Sequence, residues 1–142
     1  MSSKKVFVDS DVVVSSLLSK KGAADLLLNE HQQRFIISNV SKKELEKVVD
    51  RLRIDRGKLQ NLIQERLKTI KIATDLARIK SDFQEYTRDI NDTHILAGAA
   101  KAKARFLLTY NIKDFDRQKI SKDLGFTVLT PAQYLQYLRS LD

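Results

Sequence analysis

No cysteine occurs among the 142 residues, which excludes disulfide stapling, cysteine-based zinc sites and thiol catalysis. There are two histidines, His31 and His94, too few for a histidine-rich metal site. No apolar run approaches the length of a membrane span, and Met1–Lys5 lacks the apolar segment of a signal peptide. A cytoplasmic protein is therefore expected. Internal repeats, low-complexity tracts and linkers are missing too. One domain over residues 1–142 is expected, long enough to enclose a real core.

Positive charge is abundant. Lysine and arginine number 26 against 18 acidic residues, a formal charge of +8 with a pI near 9.7. A polyanionic partner fits this balance, nucleic acid first. Lysines that only maintain solubility would give the same number, so charge alone does not separate the two readings.

Apolar patterning alternates between strand and helix. Lys5–Val8 predicts a short strand, Val12–Leu18 a helix, and Ala23–His31 a second helix beyond Gly22. Arg34–Ser38 is a second strand. Ser41–Arg53 and Asp55–Leu67 carry helical spacing, followed by a weak strand at Ile70–Ala73 and a short helix over Leu76–Tyr86. Asp92–Ala104 is a helix whose face of Ile95, Leu96, Ala99 and Ala100, with Gly98 beside it, is small enough to approach a sheet closely. Phe106–Thr109 and Phe126–Leu129 are strands, and Pro131 opens a last helix. The order is βαβα, which predicts an α/β fold with a mostly parallel sheet. The helix-rich stretch from Ser41 to Tyr86 is expected largely to one side.

In such a sheet, ligands bind beyond the carboxyl ends of the strands. Helices run antiparallel to the strands, so helix N-termini share that edge. Asp9 follows the first strand, Glu44 lies in the first turn after RFIIS, Asp92 begins a helix, and Asp114 follows FLLT. All four carboxylates are directed to one edge, with Asp11, Asp89 and Asn111 nearby. Singly, most have ordinary explanations. Ser41-Lys42-Lys43-Glu44 has the form of a capping box, and Asp92, Asp114 and Asp11 suit helix caps or turns. His94 suits a structural role, and Tyr134 and Tyr137 a core or an interface. Asp9 is different, because an aspartate ending an apolar strand has no propensity reason to be there. Together the carboxylates would raise one another's pKa values, a penalty that a hard cation removes. Oxygen ligands without His or Cys point to Mg²⁺ or Mn²⁺, and a basic surface around them points to a phosphodiester substrate.

VFVDSDVVVSSLLS, SNVSKKELEKV, DINDTHILAGAA and FLLTYNIKDF resemble, in order and over nearly the whole chain, the PIN-domain nucleases. The resemblance is to the bacterial branch of toxin components from VapBC-like systems. It implies an α/β/α sandwich with a central sheet of four to five strands. It also implies an Mg²⁺- or Mn²⁺-dependent ribonuclease, an RNA substrate, a cognate antitoxin and a homodimer. Asp9, Glu44 and Asp92 match the family's first three acids. The fourth is open. Where toxin members carry Thr-x-Asp, this chain has Thr109-Tyr110-Asn111 and then Asp114. Asp11 stands where the family often has Asn or Ser, adding an outer ligand. Thr109 and Asn111 would orient ligands from behind. The apolar residues of the last helix, Tyr134, Leu135, Tyr137, Leu138 and Leu141, add to the homodimer expectation. Lysines and arginines over Lys42–Lys58 are a candidate RNA surface.

Two rivals belong to other classes. Asp9-Ser10-Asp11-Val12-Val13 also fits the nucleophile motif of HAD-type phosphatases, with Ser38 as that family's second motif. That family's acidic pair ending a late strand is missing here. A PIN fold without activity, serving as an RNA- or protein-binding module, is the other rival, and Asn111 permits it.

Overall fold

The computed structural model describes residues 4–141. The expectation of no apolar leader in Met1–Lys5 falls, for residues 1–3, outside the described residues. Five strands, β1 (Val6–Val8), β2 (Phe35–Ser38), β3 (Leu67–Ile70), β4 (Phe106–Leu108) and β5 (Thr127–Leu129), form one sheet. The order is β3-β2-β1-β4-β5 and every neighbouring pair is parallel. Parallel neighbours need crossovers, which helices supply. These are α1 (Ser10–Leu18), α2 (Ala23–Asp25), α3 (Asn39–Arg51), α4 (Arg56–Arg66), α5 (Leu76–Phe83), α6 (Thr93–Lys101) and α7 (Arg117–Leu124), with α8 (Pro131–Ser140) after the last strand. The chain winds outward from β1 to β3, then returns to lay β4 on the other side of β1. That reversal puts a topological switch point between the carboxyl ends of β1 and β4.

Both faces of the sheet are covered, so the central strands are apolar throughout except at Ser38, the last residue of β2. Val6, Val8, Phe35, Ile37, Phe106 and Leu108 point one way, into side chains of α1 to α4 and α8. Phe7, Ile36, Leu107 and Val128 alternate to the opposite face, against Ile95, Leu96 and Ala99 of α6 and Ile120 of α7. The α/β/α sandwich expected from the sequence is thus present, and its sheet is wholly parallel.

Several local expectations change. The third strand is Leu67–Ile70, not Ile70–Ala73, and α4 stops at Arg66. Helical propensity continues to Leu67, but Leu67 is buried opposite Phe35, and pairing with β2 takes Leu67–Ile70 into the sheet. Lys68 and Thr69 are exposed, as suits an edge strand. The helix expected at Ala23–His31 widens after Asp25 into a π turn over Leu26–Glu30, where the His31 N–H reaches back to the Leu26 carbonyl. Helix α7 was not anticipated, although both ends are signalled. Asp116 caps its start through the Lys119 N–H, and Gly125 ends it at φ 81°. The stretch from Ser41 to Tyr86 does not stay on one side. α3 and α4 pack on the first face, whereas α5 packs against α6.

The apolar face of α8 is mostly consumed within the chain. Tyr134 is buried edge-on to Phe35, with its hydroxyl donating to Gln33 Oε1. Tyr137 stacks near Tyr134 and accepts from Lys4 Nζ, while Leu135 and Leu138 pack on the same core. Leu141 is the exposed one, so the surplus that favoured a homodimer is small.

Close approach of α6 to the sheet depends on Gly98, not on Ala100, which is exposed. A Cβ on Gly98 would clash with the far end of the Phe7 ring, Cζ first, at the centre of the sheet. Overpacking of this kind costs about 1–3 kcal/mol. Gly98→Ala should lower the urea midpoint by a corresponding amount, and adding Phe7→Leu should recover part of the loss. An unchanged midpoint in the single variant would show that the Phe7 ring can move aside.

Candidate functional site

Ladder hydrogen bonds continue one residue past the strands at the switch point. The Asp9 N–H donates to the Leu108 carbonyl at 2.9 Å, and the Thr109 N–H to the Leu129 carbonyl at 3.0 Å. Asp9 and Thr109 are thereby fixed by the sheet itself. Thr109 is fully buried, and its hydroxyl donates to Asp9 Oδ2 at 3.0 Å, with Asp11 Oδ2 at the longer distance of 3.3 Å. The Tyr110 N–H donates to the same Asp11 oxygen at 3.1 Å. Thr109 Oγ1 in turn accepts from the Asn111 N–H at 3.1 Å. One threonine therefore joins the ends of β1 and β4 and holds two aspartates side by side.

These contacts do not offset the burial. Asp9 is pushed up to about 7, first by loss of water and then by the neighbouring Asp11 charge; the Thr109 hydroxyl and His94 offset only part. Asp11 is raised as well, again mainly by burial, with Asp92 adding repulsion. Asp92 is raised to about 6, by burial and then by Asp9, Asp89 and Asp114. Asp9, Asp11, Asp89, Asp92 and Asp114 thus act on one another across three chain segments. Asp11 Oδ1 and Ser10 Oγ are buried there without a hydrogen-bond partner.

The remaining residues take distinct places. Asp89 caps the short 3-10 turn Ile90–Asp92 through the Asn91 N–H, which turns Asp92 towards Asp9. Asp114 closes a second 3-10 turn, Ile112–Asp114. Its main chain is tied down, the carbonyl accepting from the Arg88 N–H and the Thr87 hydroxyl. Asn111 is exposed, and its structural contribution comes from its backbone.

The capping-box expectation for Glu44 does not hold. Helix α3 starts at Asn39, and Ser38 is its cap, accepting from the Ser41 N–H at 3.1 Å. Ser38 is fully buried, so the helix begins where β2 ends instead of two residues later. Glu44 falls in the second turn, free of any capping duty. It lies 3.1 Å from Nε2 of His94, and neither belongs to the Asp9–Thr109 junction. His94, expected to be structural, is buried, links Glu44 to the field of Asp9 and Asp92, and leaves its Nδ1 without a partner. The sequence signal for it was its place two residues after Asp92. Burial of Ser38 as a cap also removes the second motif of the phosphatase reading.

Among the described residues, no three His, Asp or Glu side chains are gathered into a ready-made metal cage. The donor chemistry nevertheless fits a hard divalent cation. All the donors are oxygen, Asp11 Oδ1 is a buried acceptor without a donor, and the carboxylates destabilise one another. Mg²⁺ needs only one or two carboxylates and keeps several waters, so a closed cage is not required.

A family model described as PIN domain matches residues 5–113. Solved structures of the same fold include a toxin–antitoxin complex from Klebsiella pneumoniae, 23% identical over 89% of this chain and 98% of that one, with a TM-score of 0.63. VapBC2 from Rickettsia felis, bound to a DNA fragment from their promoter, is 16% identical over 88% and 97%, with a TM-score of 0.62. VapC20 from Mycobacterium tuberculosis, a sarcin–ricin loop cleaving toxin, is 15% identical over 84% and 96%, with a TM-score of 0.55. No curated protein matches the chain by sequence.

The raised carboxylates make stability depend on pH in a definite direction. A folded-state value near 7 for Asp9, against an ordinary aspartate value in the unfolded chain, means the folded protein keeps a proton the unfolded one releases. Its contribution therefore declines as pH rises from about 4 to about 7, and is flat above that. In EDTA, Asp9→Asn should match wild type in thermal midpoint near pH 4 and exceed it by about 3 °C or more at pH 8. Mn²⁺ at pH 8 should raise the wild-type midpoint and leave Asp9→Asn unmoved. A midpoint difference independent of pH would remove Asp9 from the cluster.

Proposed function

The chain belongs to the PIN-domain family, and from that premise we propose that it is a Mg²⁺- or Mn²⁺-dependent endoribonuclease, the toxin component of a cytoplasmic toxin–antitoxin pair. The observation that carries this reading is the set of desolvated carboxylates at the switch point, organised on Thr109 and raised to between about 6 and about 7 at Asp92 and Asp9. Support for the partner comes from the similar folds, which include toxin–antitoxin assemblies, and support for RNA from a similar fold that cleaves the sarcin–ricin loop. No helix among the described residues is long and apolar enough to cross a membrane.

In this reading Asp9, Asp92 and Asp114 would hold the cation, and Glu44 would hold or deprotonate a water. Asp114, not Asn111, fills the fourth acidic place, because Asp114 acts on Asp92 whereas Asn111 serves through its backbone. Such an ion, when bound, would supply Lewis acidity toward water and phosphate. Thr109 keeps the Asp9 carboxylate aligned, and the Asn111 N–H keeps Thr109 aligned. Asp11 and Asp89 shape the field, and Asp89 also orients Asp92 by capping its turn. In the reaction the water oxygen bonds to phosphorus as the P–O3′ bond breaks, and the 3′ oxygen leaves with a proton. Basic residues outside the acidic centre hold the backbone, so binding weakens as salt rises.

Cleavage of mixed RNAs tests the proposal directly. Wild type should cut in Mn²⁺ and not in EDTA. Asp92→Ala and Glu44→Gln should each lose about 10²-fold or more in rate, with Glu44→Gln keeping its thermal midpoint because Glu44 caps nothing. Asp92→Ala should still bind RNA. Wild-type cleavage in EDTA, or undiminished cleavage by Asp92→Ala, would sink the metal-nuclease reading; RNA binding without any cleavage would leave a binding module.

A further inference from the structure

His94 and Glu44 meet at 3.1 Å, Nε2 to Oε1, and the two side chains stand in different surroundings. His94 is 5% exposed, whereas the Glu44 side chain is 46% exposed. Helix α6 carries the ring and packs against β1, β2 and α3. Thr93, the residue before it, is buried too, and its hydroxyl donates to the Ile90 carbonyl at 2.7 Å, which ties down the start of the helix. The ring therefore has a fixed place, two residues beyond Asp92 and close enough to act on both Asp92 and Asp9. Glu44 has a long, rotatable side chain and a half-exposed carboxylate, so nothing in its own segment fixes it.

The ring atom that faces Glu44 carries a proton. His94 Nδ1 is buried without a hydrogen-bond partner among the described residues. A neutral ring protonated on Nδ1 would bury an N–H with no acceptor and set the bare lone pair of Nε2 against a carboxylate. The neutral ring protonated on Nε2 and the charged ring both avoid that arrangement. The attraction to Glu44 therefore does not depend on the charge of the ring.

Glu44 also has a competing destination. Lys47 lies three residues further along α3, the spacing of an exposed helical ion pair, and Lys80 of α5 lines the same groove. Neither lysine belongs to an ion pair among the described residues, and Glu44 meets His94 instead. A lysine partner would draw the carboxylate out along the surface of α3. The imidazole, buried beside the aspartates, draws it inward.

We propose that His94 is a positioning residue, whose Nε2–H holds the Glu44 carboxylate on the side of the acidic centre and away from Lys47. The kinetic consequence rests on the nuclease reading; the fixed Glu44 side chain does not.

Two measurements test it, one of them without catalysis. Three-bond NMR couplings should show the Glu44 side chain in one rotamer in wild type and in His94→Gln, whose amide N–H reaches about as far as Nε2. The same couplings should be averaged among rotamers in His94→Phe and His94→Leu, which fill the space and offer no proton. In cleavage of RNA with Mn²⁺, His94→Phe should lower kcat by about 10- to 100-fold with KM unchanged, and His94→Gln should retain most of the wild-type rate. In a Glu44→Ala background, where no carboxylate is left to hold, adding His94→Phe should lower the rate no further. Averaged Glu44 couplings in wild type would overturn the proposal. So would a full rate in a folded His94→Phe or His94→Leu, or a further loss of similar size in the Glu44→Ala background. If neither apolar variant folds, the couplings and rates of wild type and His94→Gln decide, and a rate lost in His94→Gln with Glu44 still in one rotamer would overturn it. Failure of the nuclease reading looks different: wild type would hold Glu44 in one rotamer and never cleave RNA in Mn²⁺.

Discussion

Everything at the site depends on one hydrogen-bonding junction, the Thr109 hydroxyl between Asp9 and Asp11. It is available because two parallel strands end together and their ladder extends one residue further. A hydroxyl carries one proton, so it cannot fully satisfy two carboxylates. The shortfall appears as raised pKa values and as a buried oxygen of Asp11 without a partner. A fold that tolerates this arrangement accepts a local loss of stability, which is common where function needs charge in a confined place.

The rest of the molecule arranges that strain without spreading it. Gly98 lets α6 lie directly on Phe7, which brings Asp92 at the start of that helix towards the end of β1. Burial of Ser38 as the α3 cap starts that helix early and turns Glu44 to His94 instead of to its own backbone. The acids thus come from helix starts and strand ends at one sheet edge. Charge is divided between two regions: a concentrated acidic centre, and lysines on the adjoining helices. Under the proposed function, a polyanion would meet the lysines first and the acidic centre only where a cation made it hospitable.

The strands and the class of fold were legible in the sequence because their signals are local. Val6–Val8, Phe35–Ile37 and Phe106–Leu108 are apolar at every position, as strands covered on both faces must be. The resemblance to PIN domains was legible for a similar reason, since its motifs are short and ordered along the chain. The edge strand was misplaced because Leu67–Ile70 has the composition of a helix end, and only pairing with β2 makes it a strand. Helix α7 was overlooked even though Asp116 and Gly125 mark its ends; its apolar stripe is short, with Ile120 as its buried residue.

By itself the sequence determined which residue types stand at strand ends and helix starts, and hence that several carboxylates share one edge. Tertiary structure decided which of them feel one another and what else joins them. Propensity and spacing suggest a capping box at Ser41-Lys42-Lys43-Glu44, but burial of Ser38 moves the cap and frees Glu44. The sequence places His94 two residues after Asp92, but its pairing with Glu44 arises from contact between α3 and α6, and such contacts join residues far apart in the chain. The proposed preference for Asp114 over Asn111 likewise draws on the field at Asp92 and not on the motif's letters. Local patterns specify where a backbone turns; desolvation and electrostatic interaction depend on distances that only the packed chain defines.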